Sequence, residues 1–256
     1  MLVFISVFWL TAKLALGSEC ISNCTVGPFA FGERFHLRDG QCEKHEIDSE
    51  CTIRTIYKYH EQTYSVEFGQ ERSSADFIYL SSTPYLSYTK NHFCAEGADC
   101  VLENLQNEID KMVARPYNAE NIFSQVSEFI DNPKRDGSIE CYTKTNQIAQ
   151  CPLDYNCGLS YDFENEEIRA SGCQYSPGHR ARIFIYDSEY YKAFHVECTM
   201  DLCNDLTTLA KVRMIFADNR LTNATDGDVE PKTYNAAQKQ TFSVLVFFSI
   251  LFYFFK

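Results

Sequence analysis

All twelve cysteines of this 256-residue chain lie beyond residue 17: Cys20, Cys24, Cys42, Cys51, Cys94, Cys100, Cys141, Cys151, Cys157, Cys173, Cys198 and Cys203. Residues 1–17, MLVFISVFWLTAKLALG, are apolar except for Thr11 and Lys13, and they close on the small-x-small pattern Ala15-Leu16-Gly17. That stretch reads as a secretory signal peptide, because the run before Lys13 is too short to span a bilayer. An even cysteine count after such a signal reads as a disulfide framework. The density falls below the roughly 8–10% of a pure disulfide scaffold, so bridges here supplement cores that also bury apolar surface. With no pair of CxxC motifs, a zinc ribbon or thioredoxin-like centre is not expected, and neither a metal nor a cofactor is assigned. The expected fold class is small, disulfide-rich and mainly β.

The other end sets the expected location. Phe242 to Phe255 is an uncharged apolar run of 14 residues followed only by Lys256. As a helix it would cover about 21 Å against a hydrocarbon core of about 30 Å. A short terminal apolar tail behind small residues is the pattern of a glycosylphosphatidylinositol (GPI) attachment signal. Asn235-Ala236-Ala237 supplies the small triplet, with attachment at Asn235, and Asp226-Gly227-Asp228 is a second candidate. On this reading 205–235 is a stem and 236–256 is removed; the alternative is a single-pass protein in a locally thinned bilayer. Asn223-Ala224-Thr225 and Asn23-Cys24-Thr25 are glycan acceptor tripeptides, which suit an extracellular chain. The formal charge is −12, and the processed chain retains 20 basic against 35 acidic side chains, or −15. Such a surface repels nucleic acid and anionic lipid, so neither is an expected partner.

Six cysteines fall in a first module, residues 18–100, and six in a second, residues 140–204. Each group ends on a close pair, Cys94/Cys100 and Cys198/Cys203, a faint internal repeat. In the first, Ile53, Tyr57 and Tyr59 alternate, as do Tyr64, Val66 and Phe68 after His60-Glu61-Gln62, which predicts a hairpin; Phe77 to Leu80 predicts a third strand. Between the groups the period changes. Val101, Leu102, Leu105, Ile109, Met112 and Val113 share one helical face, ended by Pro116. Asn118 is an N-cap for a second helix carrying Ile122, Phe123, Val126, Phe129 and Ile130. Residues 101–131 thus read as a helical hairpin packed on the first module, or else as a groove-binding element for a partner, with 132–139 as a linker.

The second module opens Glu140-Cys141-Tyr142 and closes Cys198-Thr199-Met200-Asp201-Leu202-Cys203-Asn204, with Cys151 and Cys157 at intervals of ten and six residues between. This resembles the three-finger superfamily of lymphocyte antigen six, the urokinase receptor and snake toxins; residues 20–100 are weighed as a divergent tandem copy or as an unrelated module. The resemblance implies finger one over 142–150, finger two over 158–172 with its tip at Glu164 to Glu167, and finger three pairing 182–186 with 192–198. It implies bridges Cys157–Cys173 and Cys198–Cys203. The family's partners for Cys141 and Cys151 are missing, which leaves those two to pair with each other. Asn204 matches the family's terminal asparagine, and its side-chain amide is expected to bond neighbouring backbone in a structural role.

No nucleophile elbow, zinc-protease helix or phosphate loop is present, so no catalytic residue is assigned and the protein is not expected to be an enzyme. The expected function is a GPI-anchored cell-surface glycoprotein that binds an extracellular or membrane protein. Two alternatives stand beside it: a structural coat glycoprotein, and a secreted or surface hydrolase hosted by the first module. The candidate binding residues are Tyr186, Tyr190 and Tyr191 on finger three and the acidic tip Glu164, Glu166 and Glu167 on finger two. Tyrosine supplies contact area at low entropic cost, and the acids can steer a basic partner. His179, Arg180 and Arg182 form a basic cluster on the approach to finger three.

Overall fold

A computed structural model describes residues 18–42, 45–48, 51–69, 75–83, 85–94, 98–188 and 192–222. The signal peptide, Tyr190, Tyr191, the acceptor Asn223, both attachment candidates and the apolar tail lie outside the described residues.

The fold is mainly antiparallel β and disulfide-rich. In chain order the first half comprises β1 (Ser18–Ile21), β2 (Cys24–Ala30), β3 (His45–Asp48), β4 (Cys51–Lys58), β5 (Thr63–Phe68), β6 (Asp76–Ser81) and β7 (Tyr85–Cys94). Two helices follow, α1 (Ala98–Val113) and α2 (Ala119–Ile130). The second half comprises β8 (Ile139–Tyr142), β9 (Ile148–Cys151), β10 (Tyr155–Asp162), β11 (Glu167–Tyr175), β12 (Arg182–Asp187), β13 (Lys192–Cys198) and α3 (Leu206–Asp218). The predicted hairpin is β4–β5, paired from Ile53↔Phe68 to Lys58↔Thr63, and the segments expected as fingers one, two and three are the antiparallel pairs β8–β9, β10–β11 and β12–β13.

Nine strands form one sheet in the order β11-β10-β13-β12-β6-β7-β4-β5-β2, with β1–β3 and β8–β9 as separate pairs. Apart from β2, which has no counterpart in the second half, the same strand arrangement occurs twice. A two-stranded finger (β1–β3, β8–β9) precedes a hairpin (β4–β5, β10–β11), then a second hairpin (β6–β7, β12–β13) whose last strand returns to pair with the first strand of the previous one. The correspondence extends to register, since Cys51 faces Cys94 as Cys157 faces Cys198. A helix follows each copy. The two copies meet edge to edge where β6 pairs with β12, from Arg182↔Ser81 to Asp187↔Asp76, so both cysteine groups share one continuous sheet. That joint removes two edge strands that would otherwise present unpaired backbone groups. β2, at one outer edge, carries Pro28 at a register break between Val26 and Phe29, where a missing N–H costs nothing.

Alternation decides which face is covered. Ile53, Thr55 and Tyr57 of β4, Tyr64, Val66 and Phe68 of β5, Ile78 and Leu80 of β6, Ile183 and Ile185 of β12, and Phe194 and Val196 of β13 are all buried on the helix side. There the Tyr59 hydroxyl donates to the Met112 carbonyl of α1 at 2.8 Å, and the Phe194 ring meets Phe216 of α3 at 5.7 Å. Asn118 caps α2 as expected, its side chain accepting from the Asn121 N–H at 2.9 Å. Leu105, Ile109, Met112, Ile122, Val126 and Ile130 are buried; Phe123 is half-buried against the same core.

Of the two helices, α1 packs on β4 and β7 of the first half, and the main helical partner of α2 is α3. Three expectations are corrected. First, the two cysteine groups are not separate modules, because β6 pairs with β12 in one sheet. Second, residues 206–218 are no stem. They form α3, capped by Asp205, whose carboxylate accepts from the Thr208 N–H at 2.6 Å, with Leu209, Val212 and Phe216 buried. Third, two of the three bridges expected in the second half are exchanged. The observed pairs are Cys141–Cys157 and Cys151–Cys173, while Cys198–Cys203 is as expected. The physical reason is that β8 and β9 pack on β10 and β11, which brings the Cys157 and Cys173 sulfurs within bonding reach of finger one. In the first half the described bridges are Cys20–Cys51, joining β1 to β4, and Cys24–Cys42.

Candidate functional site

The tip of finger two is built around one buried carboxylate. Asp162, the last residue of β10, is fully buried. Its Oδ1 accepts from the backbone N–H groups of Glu164 (2.8 Å) and Asn165 (3.2 Å), and its Oδ2 from Asn165 Nδ2 (3.0 Å) and the Arg169 guanidinium (Nε, 2.7 Å). Burial alone would raise the Asp162 pKa, but these donors overcome it and hold the carboxyl at about 2. Asp162 therefore fixes the turn that displays Glu164, Glu166 and Glu167, all exposed. Glu166 takes a left-handed φ of 52° there, and Arg169 also approaches Glu167 at 3.8 Å.

The tip is tied to finger three. The Phe163 N–H donates to the Lys192 carbonyl at 3.0 Å, and the Phe163 ring lies beneath the Arg213 guanidinium of α3, 4.3 Å from its centroid. The acidic tip and the paired strand ends Asp187 and Lys192 of finger three thus lie at one end of the sheet. Tyr186 is half-buried on the face opposite the helices. It belongs to a longer row across both halves that sequence reasoning missed. Its ring neighbours Phe77 (6.1 Å) and Phe184 (6.4 Å); Phe184 neighbours Tyr79 (4.9 Å) and His195 (5.8 Å); Tyr79 neighbours Tyr85 (5.5 Å). All are half-buried, and no helix among the described residues covers them. A signal was present: in Phe77-Ile78-Tyr79-Leu80 and Ile183-Phe184-Ile185-Tyr186 every position is apolar or aromatic, so one face of each strand had to lie away from the core.

The expected basic cluster does not exist as a unit. Arg182 places Nε and a terminal nitrogen on Glu197 Oε2 (2.9 and 2.6 Å) and donates to Ser176 Oγ (2.9 Å). Burial pushes the Glu197 carboxyl up, but His195 and Arg182 beside it bring it below the ordinary glutamate range, so the pair is ionised and self-neutralised. Arg180 remains exposed. Asn23 is exposed as a glycan acceptor requires, and its neighbour Cys24 is bridged. A shallow cleft of about 350 Å³ lies between the β4–β5 turn and the start of α2, lined by Tyr59, His60, Gln62, Tyr117 and Glu120 among others.

A comparison with protein-family models found no match, and no curated protein matches the chain in sequence. Among the described residues, no helix is long and apolar enough to cross a membrane.

Proposed function

We propose that this protein is a GPI-anchored cell-surface glycoprotein of the three-finger kind, acting as a non-enzymatic binding module for an extracellular or membrane protein. The observation that carries the reading is the aromatic row Phe77–Tyr186–Phe184–Tyr79–Tyr85 on the sheet face that no helix among the described residues covers, at whose Tyr186 end β13 leads across to Asp162 at the base of the acidic tip. Rigid aromatics set in a sheet supply contact area without an ordering cost, and the acidic rim selects a partner whose own rim is basic. The strand order of the second half and its closing Cys198–Cys203 loop support the three-finger reading. The signal-like start and the 14-residue apolar end support surface attachment.

The test is proximity labelling from the surface of intact cells, comparing wild type with Tyr79→Ala and Phe184→Ala. Loss of a labelled protein in both variants at unchanged surface abundance is the expected result. An unchanged labelled set would overturn the reading. Phosphatidylinositol-specific phospholipase should release the protein; retention of a tag placed after Lys256 in the mature chain contradicts the anchor.

A further inference from the structure

The two crossed bridges of the second half form a four-sulfur cluster. Cys141–Cys157 joins β8 to β10 and Cys151–Cys173 joins β9 to β11. The Cys151 and Cys141 sulfurs, which belong to different bridges, lie 3.1 Å apart, and the sulfurs of Cys141, Cys151 and Cys173 all fall within 4.8 Å of one another. Cys157 and Cys173 stand directly opposite in the β10–β11 ladder. Opposed strand positions have Cα separations of about 4.5–5.5 Å, inside the range that a disulfide spans. Cys141, Cys151 and Cys157 are buried, while Cys173 is exposed on the outer strand.

We infer that Cys173 is a thiol-exchange site through which an external thiol, either a small one or the active cysteine of an oxidoreductase, isomerises this cluster to Cys141–Cys151 and Cys157–Cys173. The geometry supplies three successive displacements. The external thiolate attacks the sulfur of the exposed residue Cys173; a mixed disulfide forms there, the Cys151–Cys173 bond breaks, and its electron pair leaves on Cys151. The Cys151 thiolate attacks the Cys141 sulfur beside it; the Cys141–Cys151 bond forms and Cys157 leaves as thiolate. Cys157 attacks Cys173 across the ladder, forms the final bond and expels the external thiolate. Three sulfur–sulfur bonds form and three break, counting the mixed disulfide in both tallies. Nothing is oxidised or reduced overall, and the external thiol is recovered.

The two states differ mechanically. In the observed state both bridges staple finger one, β8–β9, onto finger two. After exchange each finger is bridged only within itself. Finger one is then held by hydrogen bonds such as Ser171 Oγ to the Tyr142 carbonyl (2.8 Å). This device stands apart from the aromatic face and does not depend on the identity of any partner.

The experiment uses the intact protein, incubated with a mixture of reduced and oxidised glutathione at neutral pH, quenched with N-ethylmaleimide and mapped without reduction. Cleavage at Lys144, Asp154, Arg169, Arg180 and Asp201 places each of the six cysteines on its own peptide. The expected result is a glutathione adduct first on Cys173, followed by peptides joining Cys141 to Cys151 and Cys157 to Cys173, rising together while Cys198–Cys203 persists. A Cys151 trapped as a free thiol with no Cys141–Cys151 product overturns the inference, as does opening of Cys198–Cys203 before Cys173 reacts. In a Cys151→Ser/Cys173→Ser double variant, Cys141–Cys157 should stay closed under conditions that rearrange the wild type; if that variant does not fold, the wild-type map alone decides.

Discussion

Asn204 acts as a surrogate strand for Tyr142: its side-chain carbonyl accepts the Tyr142 N–H at 2.9 Å and its amide nitrogen donates to the Tyr142 carbonyl at 2.7 Å. The same nitrogen lies 3.0 Å from the Gly158 carbonyl and 2.9 Å from Ser171 Oγ. One residue at 2% exposure therefore joins finger one to both strands of finger two, immediately after the Cys198–Cys203 loop places it there. A buried amide with both ends used in this way is structural, since any loss strands backbone groups away from water.

Asn204→Ala removes the side-chain acceptor of the Tyr142 N–H and the donor to the buried Gly158 carbonyl, while the Tyr142 carbonyl keeps Ser171 Oγ. Each stranded group costs about 1–3 kcal/mol, so the variant should lose about 2–5 kcal/mol in denaturant titration with the bridges intact. Asn204→Asp keeps the acceptor but loses the donors, and it should be destabilised as well. A neutral Asn204→Ala would show that finger one is held by the bridges alone.

α3 belongs to the folded body. Phe216 is fully buried against Phe194, and truncation of such a side chain costs about 3–5 kcal/mol. Phe216→Ala should therefore destabilise strongly, as should Leu105→Ala in α1 at about 2–5 kcal/mol. Phe123→Ala, at a half-buried position, should cost less. Thermal unfolding of the three variants orders them; Phe216→Ala behaving like wild type would mean that residues 206–218 are dispensable.

The finger-two tip should be acid-resistant down to an unusually low pH. The Asp162 carboxyl is depressed to about 2 from an ordinary value of 3.8, so its contribution is complete above about pH 4 and is lost only as pH falls through about 2. Carboxyl chemical shifts followed by NMR should show Asp162 titrating at the bottom of that window. In Asp162→Asn the tip loses this titration and part of its order, because the Arg169 guanidinium no longer meets a charge. An Asp162 titration near pH 4 would contradict the buried network.

Reversing Glu164, Glu166 and Glu167 to lysine should slow association with the labelled partner and flatten its salt dependence, with little change in thermal stability, because all three are exposed. Stopped-flow or surface association rates at low and high salt read this directly. Rates equal to wild type would place the acidic tip outside the encounter surface.

Local pattern made much of the fold legible. The period-two runs at Ile53–Tyr59 and Tyr64–Phe68 became β4 and β5, and the helical spacing from Leu105 and from Ile122 became α1 and α2. Where partners are far apart in sequence, pattern could not choose. The β6–β12 joint unites strands about a hundred residues apart, and nothing in either strand names the other. Four cysteines allow three pairings, and the interleaved one at Cys141, Cys151, Cys157 and Cys173 depends on finger one crossing finger two, which spacing does not encode. α3 was readable: Asp205 before Leu206 is an N-cap, and Leu209, Val212 and Phe216 share a face. In the candidate site the exposed acids were legible because a turn of Glu-Asn-Glu-Glu has nowhere to go but water. The role of Asp162 was not, because nothing in its sequence neighbourhood marks it as the buried acceptor. The aromatic row was hidden for the same reason as the joint, since it exists only once β6 lies beside β12.

The most direct measurement is hydroxyl-radical footprinting of the protein alone and with its surface-labelled partner, read on side chains by mass spectrometry. Tyr79, Phe184 and Tyr186 and the 163–167 tip should be protected in the complex, with the helix-side residue Met214 of α3, exposed in the free protein, oxidised equally in both states. Protection of Met214 with unchanged oxidation at Tyr79 and Phe184 would place the partner on the helical layer and contradict binding at the aromatic face.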